Sequence, residues 1–436
     1  MPATWNLPRS SNLWDQQDVE QYHRLPVWMA MQQTKKIQYW SNWRNRYSSI
    51  KWEQNMGDIL QGIIAENSPI RAQKHVPKNI TEMPNKTVVR HYERSNTARV
   101  KRHLFESPLF HFLPSFRDFR KKQLKFAADD LTKQVAVGYD FFTRWQILQQ
   151  SPYCYITGNT TASEGPYVPT PAGEATDTTD VKTAAILATL AAKVGPNTGY
   201  LDFRQMCAVR SLARNIVQMP AWEGMPGGAP ADNEVLKGKF CLTGEPGLYE
   251  AMSFDSHVLN IDSKPMTMNL VNSEFSGIIS GNIVFKAERY PLLMKADGTF
   301  PEPEIEKEVT TTVASYTNAA KQYETVPNPD YVNAPFGWAF FEGYQAYETV
   351  DVGPPPAEFA KGSISMKRFN SLNWNGEVRI TDDVLVNYGS GNLDTNKYGE
   401  YLQLIADTTL GIIANTPRYL VPILYRRNLT PSLNQE

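Results

Sequence analysis

Residues 116–150, FRDFRKKQLKFAADDLTKQVAVGYDFFTRWQILQQ, form a proline-free run bounded by Pro114 and Pro152. Apolar side chains recur at Phe116, Phe119, Leu124, Ala127, Leu131, Val135, Tyr139, Phe142 and Trp145, steps that follow one face of a helix. The spacing predicts a single long amphipathic helix. Pro114-Ser115 supplies a turn and N-cap, and Ser151-Pro152 ends the run because proline disfavours helical geometry in the residue before it. At 1.5 Å per residue such a helix reaches about 50 Å, the dimension of a strut across a flat or elongated subunit. Gly138 interrupts the stripe at a cost of about 1 kcal/mol relative to alanine and marks a place to bend. The plainer alternative is a core helix of a globular enzyme.

The chain has 436 residues, enough for two or three domains with a substantial core. Its net charge of -1 argues against a protein whose main task is coating nucleic acid. No run of about 18 apolar residues occurs, and the opening MPATWNLPRSSNLW lacks the apolar segment of a secretory signal, so a soluble protein made in a cytoplasm is expected, with no membrane partner. Cys154, Cys207 and Cys241 are odd in number and far apart, which predicts free thiols and neither a disulfide nor a metal site.

Six tryptophans, Trp5, Trp14, Trp28, Trp40, Trp43 and Trp52, crowd the first 57 residues among Arg24, Lys35, Lys36, Arg44, Arg46 and Lys51. Their periodicity is patchy, which predicts an extended arm anchored by its aromatic rings on its own body or on a neighbour. A small helical subdomain is the alternative. Stacking of nucleic-acid bases on these rings is disfavoured by Asp15, Asp18 and Glu20. Lys86 to Glu93 and Ala98 to Phe105 are β-prone, and Arg94-Ser95-Asn96-Thr97 between them reads as a hairpin connection. Arg90, Arg94, Arg99 and Arg102 make this ribbon basic. A polar two-stranded ribbon is marginal alone, so it is expected to lie across an adjacent copy and meet carboxylates there, or else to be a solvated hairpin.

Thr157 to Asp180 reads as a polar loop. Helices are expected over Val181 to Val194 and Leu201 to Met219, the second with Met206, Val209, Leu212, Ala213 and Ile216 on one face. Strand patterns follow at KFCLTGEP, SHVLNID and FSGIISGNIVFKAERY, where glycines among β-branched residues predict a bulged or sharply bent strand. Thr299 to Asn333 looks like a proline-bearing linker. Beyond it PFGWAFFEGYQAYETVDV, LNWNGEVRITDDVLVNYG, EYLQLIADTTLGIIAN and RYLVPILYRR alternate with turns expected at Asn375-Gly376 and residues 389–392. The result is an α+β chain with no internal repeat.

Taken in order, a basic aromatic arm, an extended hairpin, one long helix, a loop-and-helix region, a glycine-marked strand and a final set of strands resemble the major capsid proteins of tailed bacteriophages, with the Hong Kong 97-like fold. The resemblance is carried by residues 116–150, similar to that family's spine helix, and by LVNSEFSGIISGNIVFKAERY at residues 270–290. It implies an N-terminal arm at 1–69 and an extended loop at 70–111. The spine helix and start of a peripheral domain would fall at 112–180, an axial domain at 181–294, and a linker with the peripheral domain's last strands at 295–436. It further implies a structural subunit, located in the virion and assembled in the bacterial cytoplasm, whose partners are copies of itself in hexamers and pentamers. Scaffolding, cement and portal proteins, and packaged DNA held without sequence preference, complete the implied set. No cofactor is implied, and no residue pair stands out for covalent crosslinking. Subunit contacts are expected at Trp28, Trp40 and Trp43 in the arm and at Arg90, Arg94, Arg99 and Arg102 in the ribbon.

Two other readings compete. A portal or tail protein would carry several long helices near a channel. An α+β hydrolase would need a catalytic constellation, yet no HExxH, GxSxG or dinucleotide glycine fingerprint is present, and Asp129-Asp130 and Asp382-Asp383 are adjacent and so do not share a face.

Overall fold

The computed structural model describes residues 43, 49–52, 59–66, 92–99, 101–106, 110–111, 117–159, 165–173, 179–216, 219–221, 239–248, 277–279, 283–309, 322–344, 346–352, 369–371, 374–381, 385–387, 393–395, 401–414 and 419–428. In chain order the strands begin with β1 (Ser49–Trp52), β2 (Ile59–Glu66), β3 (Tyr92–Arg99), β4 (Lys101–Glu106) and β5 (Phe110–His111). Helix α1 (Arg117–Gln150) leads to β6 (Tyr153–Ile156), β7 (Tyr167–Pro169), α2 (Ala184–Ala192) and α3 (Phe203–Ser211), the last continued by a π-helical turn at Leu212–Ile216. Then come β8 (Phe240–Gly244), β9 (Gly277–Ile279), β10 (Ile283–Ala287), β11 (Leu292–Met294), β12 (Glu304–Val309) and β13 (Gln322–Pro327). After a four-residue helix, α4 (Pro329–Val332), the chain ends in β14 (Phe336–Glu342), β15 (Tyr347–Val352), β16 (Phe369–Ser371), β17 (Trp374–Thr381), β18 (Leu385–Asn387), β19 (Leu393–Thr395), β20 (Tyr401–Ala414) and β21 (Leu420–Arg426). The class is mixed α+β, as the alternation of patterns predicts.

Two sheets organise the fold. The larger has eight strands in the order β7-β6-β21-β14-β8-β10-β9, with β11 also on β14. Its strands divide their residues between two cores by strict alternation. Trp338 and Phe340, Cys241, Val284, Leu420 and Leu424 face one core, while Ala339 and Phe341, Leu242, Phe285, Val421 and Ile423 face the other. Both faces are covered, which explains why PFGWAFFE reads as a continuous apolar run and not as an alternating one. Ile147 and Leu148 of α1 and Leu187 and Leu190 of α2 close the first core, and Met206, Val209 and Ala213 of α3 close the second. This sheet takes in strands from stretches expected to belong to separate peripheral and axial domains.

The second sheet is built on β20, fourteen residues long. It pairs with β17, β15, β4 and β5, and β1 extends it in parallel on the far side of β15. The predicted stripe of α1 is the buried one: Leu131, Val135 and Tyr139 are inside, and Phe142 and Trp145 pack half-buried against the first core. At the helix end the Gln150 amide donates to Ile412 O at 3.1 Å, and its carbonyl oxygen accepts from Ala414 N at 2.8 Å, which fastens α1 to β20.

Four expectations are corrected. Residues 94–97 are not a turn: β3 runs straight through them and pairs antiparallel with β2, Ile59 opposite Arg99 and Glu66 opposite Tyr92. The sequence Arg-Ser-Asn-Thr lacks the glycine that a tight reversal favours, whereas ILQGIIAE supplies a β-prone partner strand. The glycine-marked segment is not one bent strand but two, β9 and β10, with Ile279 opposite Ile283 and Gly277 opposite Phe285. The expected linker holds an antiparallel ribbon, β12 with β13, in which Ile305 faces Val326. Asn375 and Gly376 lie inside β17, and the reversal falls one step earlier, between Ser371 and Trp374. The turn expected at 389–392 does separate a paired β18 and β19.

Gly138 also has a physical reason other than bending. A Cβ there would sit 2.6 Å from the Phe105 ring, so the glycine lets β4 approach the helix closely.

Candidate functional site

Two constellations on α1 stand out. The first surrounds Trp43, which is fully buried. Its ring meets Phe340 edge-on at 5.1 Å and lies tilted on Tyr347 at 5.6 Å. Its indole N–H donates to Glu288 Oε1, its backbone N–H to Asp140 Oδ1 at 3.3 Å, and its carbonyl accepts from the Tyr347 hydroxyl. Arg144 completes the nest by donating to Glu288 Oε2 at 3.0 Å and to Tyr290 O at 2.6 Å. Both members of the Arg144–Glu288 pair are almost entirely removed from water, so each depends on the other for its charge.

Trp43 was expected at a contact between subunits, and that expectation is corrected. Its ring is spent inside its own chain, because Glu288, Phe340 and Tyr347 give it a polar partner and two faces. The arm is therefore joined to its own body at least at residue 43 and through β1. Trp28, Trp40 and Arg90 lie outside the described residues. Arg94 and Arg99 stand on β3, opposite Ile64 and Ile59, and Arg102 stands on β4 opposite Thr409. Asp140, Arg144 and Glu288 escaped the sequence reading, although a trace of them was there. An acid and a base four apart on the apolar side of a helix, and an acid directly after the apolar run IVFKA, are charges where core residues belong.

The second constellation is a groove of about 800 Å³ between α1 and the β12–β13 ribbon. Val137, Phe141, Phe300 and Ile305 give it an apolar floor. Asp130, Glu302 and Glu306 stand exposed on its rim. Inside, Lys133 Nζ lies 3.0 Å from Glu304, and the Tyr290 hydroxyl donates to the same carboxylate at 2.9 Å. Burial alone would lower the Lys133 ammonium, but its hydrogen bonds with Tyr290 and Glu304 hold it above the ordinary lysine range. With Lys133 engaged, the rim presents carboxylates in excess. Among the described residues no group of three or more His, Cys, Asp or Glu side chains is arranged to hold a metal ion, and no helix is long and apolar enough to cross a membrane.

No family model and no curated protein matches this chain. Solved structures do resemble it. The cyanophage Pam1 capsid asymmetric unit aligns with a TM-score of 0.44 at 11% identity, over 89% of this chain and 91% of that one. The capsid of Ralstonia phage GP4 gives 0.42 at 11% identity, over 89% and 91%. The head structure of Helicobacter pylori bacteriophage KHP40 gives 0.42 at 10% identity, over 88% and 88%.

Proposed function

We propose that this chain is a major capsid subunit of the Hong Kong 97-like class, many copies of which close into an icosahedral shell around packaged phage DNA. The observation that carries this reading is the set of ribbons β2–β3, β12–β13 and β18–β19. Each has two strands, and among the described residues none gains a third from its own chain. Two-stranded ribbons are marginal in water, so three of them on one subunit favour a molecule completed by neighbours. The order of arm, ribbon, long helix and strands supports the same class. In that frame residues 1–69 are the arm, 70–111 with the preceding β2 the extended loop, and α1 the spine helix. The role is structural and non-enzymatic, and the place is the virion.

The contact that fits best is electrostatic. The ribbon bearing Arg90, Arg94 and Arg99, with Arg102 just beyond it, is basic, and the groove rim at Asp130, Glu302 and Glu306 is acidic. Because the two surfaces differ, their pairing between copies is head-to-tail, and such contacts close into rings. Hexamers and pentamers are the rings a shell requires. Trp28 and Trp40 serve as further arm anchors on neighbours, while scaffolding, cement and portal proteins and DNA are the outer partners.

Electron micrographs of the purified protein test the class: closed shells are expected, and a population of monomers or dimers alone would overturn it. Charge reversal tests the contact. Glu302→Lys with Glu306→Lys, or Arg94→Glu with Arg99→Glu, should each suppress shells, and the four together should restore them in part. Normal shells from either single-sided variant would refute the pairing.

A further inference from the structure

Trp43 occupies a particular place in the chain path. The polypeptide leaves the eight-stranded sheet at the end of β14 and enters the second sheet at β15, and only residues 343–346 separate the two strands. On the first side the link is held by Gly343 N donating to Tyr419 O at 2.8 Å and Tyr344 N donating to Pro220 O at 2.9 Å. Trp43 spans it. Its ring touches Phe340 before the link and Tyr347 after it. Its polar atoms reach α1 through Asp140, the end of β10 through Glu288, and the second sheet through the Tyr347 hydroxyl. One fully buried residue of the arm thus ties both sheets and the long helix together, and Arg144 locks the far side of the same carboxylate.

We propose that Trp43 is a latch through which the arm sets the angle between the two sheets. Seated, it fixes the 343–346 link and joins the sheets into one body. Withdrawn by a pull on the arm, it leaves Glu288 with Arg144 alone, frees the Tyr347 hydroxyl and opens a void beside Phe340, so the sheets are released to rotate about the link. Arm placement and subunit shape are then one variable. The latch rests on the shell reading only for what would pull the arm, and it is measurable on dispersed subunits.

The experiment is hydrogen exchange on the full-length dispersed subunit, comparing the parent with Trp43→Ala and Trp43→Phe. In Trp43→Ala, amides at 139–145, 286–290 and 343–349 should exchange about tenfold faster as one set, because a shared local opening governs them. Amides of β8 and of β14 through residue 341 should keep their protection. Trp43→Phe keeps the ring contacts and loses the bond to Glu288, so its effect should be intermediate and larger at 286–290. Unchanged exchange at 343–349 in both variants would overturn the latch and leave Trp43 a passive filler. A uniform rise through both sheets in both variants would overturn it too, since Trp43 would then be ordinary core. Particle size of the parent reports separately on the shell reading.

Discussion

Replacing Lys182 with methionine probes the end of the long helix. Lys182 is fully buried, and its ammonium donates to Gln149 O at 3.2 Å, Ser151 O at 2.7 Å and Pro171 O at 2.7 Å. It thereby caps the carbonyl end of α1, where the helix dipole favours a cation. Two of these acceptors keep another donor when the lysine is gone, Gln149 O from Gly173 N and Ser151 O from the Thr170 hydroxyl. Charge-assisted hydrogen bonds contribute about 1.5–3 kcal/mol each, while a buried carbonyl left without a partner costs about 1–3 kcal/mol. Against that, burial lowers the Lys182 pKa from 10.5 to about 8, so the charged form costs roughly 3 kcal/mol at neutral pH, which methionine would not incur. The lost bonds outweigh the recovered desolvation, and a net destabilisation of roughly 2–4 kcal/mol is expected by urea titration of the dispersed subunit at pH 7.

The same variant carries a pH signature. The folded pKa of Lys182 lies below the unfolded one, so between about 8 and 10.5 the unfolded chain binds the extra proton and stability rises with pH. The parent should therefore gain on Lys182→Met across that window. Burial pushes the neighbouring Cys154 thiol up to about 11, leaving it neutral there. A stability gap that is absent at pH 7, or that narrows from pH 8 to 10, would refute the reasoning.

Arg144→Ala should destabilise the subunit by about 3–5 kcal/mol in chemical denaturation, because it strands the Glu288 carboxylate, whereas Arg144→Ala with Glu288→Gln should recover part of the loss. Gly138→Ala should cost about 1–3 kcal/mol despite alanine's helix propensity, since its methyl meets the Phe105 ring; combined with Phe105→Ala the two penalties should fall short of their sum in a double-mutant cycle. Removing residues 1–41 while keeping Trp43 should leave the thermal midpoint of dispersed subunits nearly unchanged and reduce shell yield in sedimentation, separating the arm's outer part from its anchor.

What the sequence made legible was whatever depends on local periodicity. The long helix was readable because its stripe and its two prolines act within a few residues, and it spans Arg117–Gln150. The turn at 389–392 was readable from its glycines. Strand partners were not, because pairing is decided across the chain: nothing near Arg94 says that β3 continues through it to meet Ile59–Glu66. The Thr299–Asn333 stretch looked like a linker since its strands expose residues on both faces and lack an apolar alternation; Ile305, for instance, remains 37% exposed. Of the candidate contact residues, Trp43 shows the limit most clearly. Composition identified a tryptophan needing shelter, but only the meeting of α1, β10, β14 and β15 determines that the shelter is its own subunit.

The fastening of Gln150 to Ile412 and Ala414 has a mechanical consequence. Helix α1 is about 50 Å long and β20 about 46 Å, by their rises per residue. Fixed together at one end and pressed together through Phe105 and Gly138 partway along, they form a laminated leaf of two unlike materials. Flexing such a leaf makes its layers slide, so curvature imposed anywhere along the helix is felt as shear at the strand, and the subunit yields by bowing along its length sooner than by folding at a point.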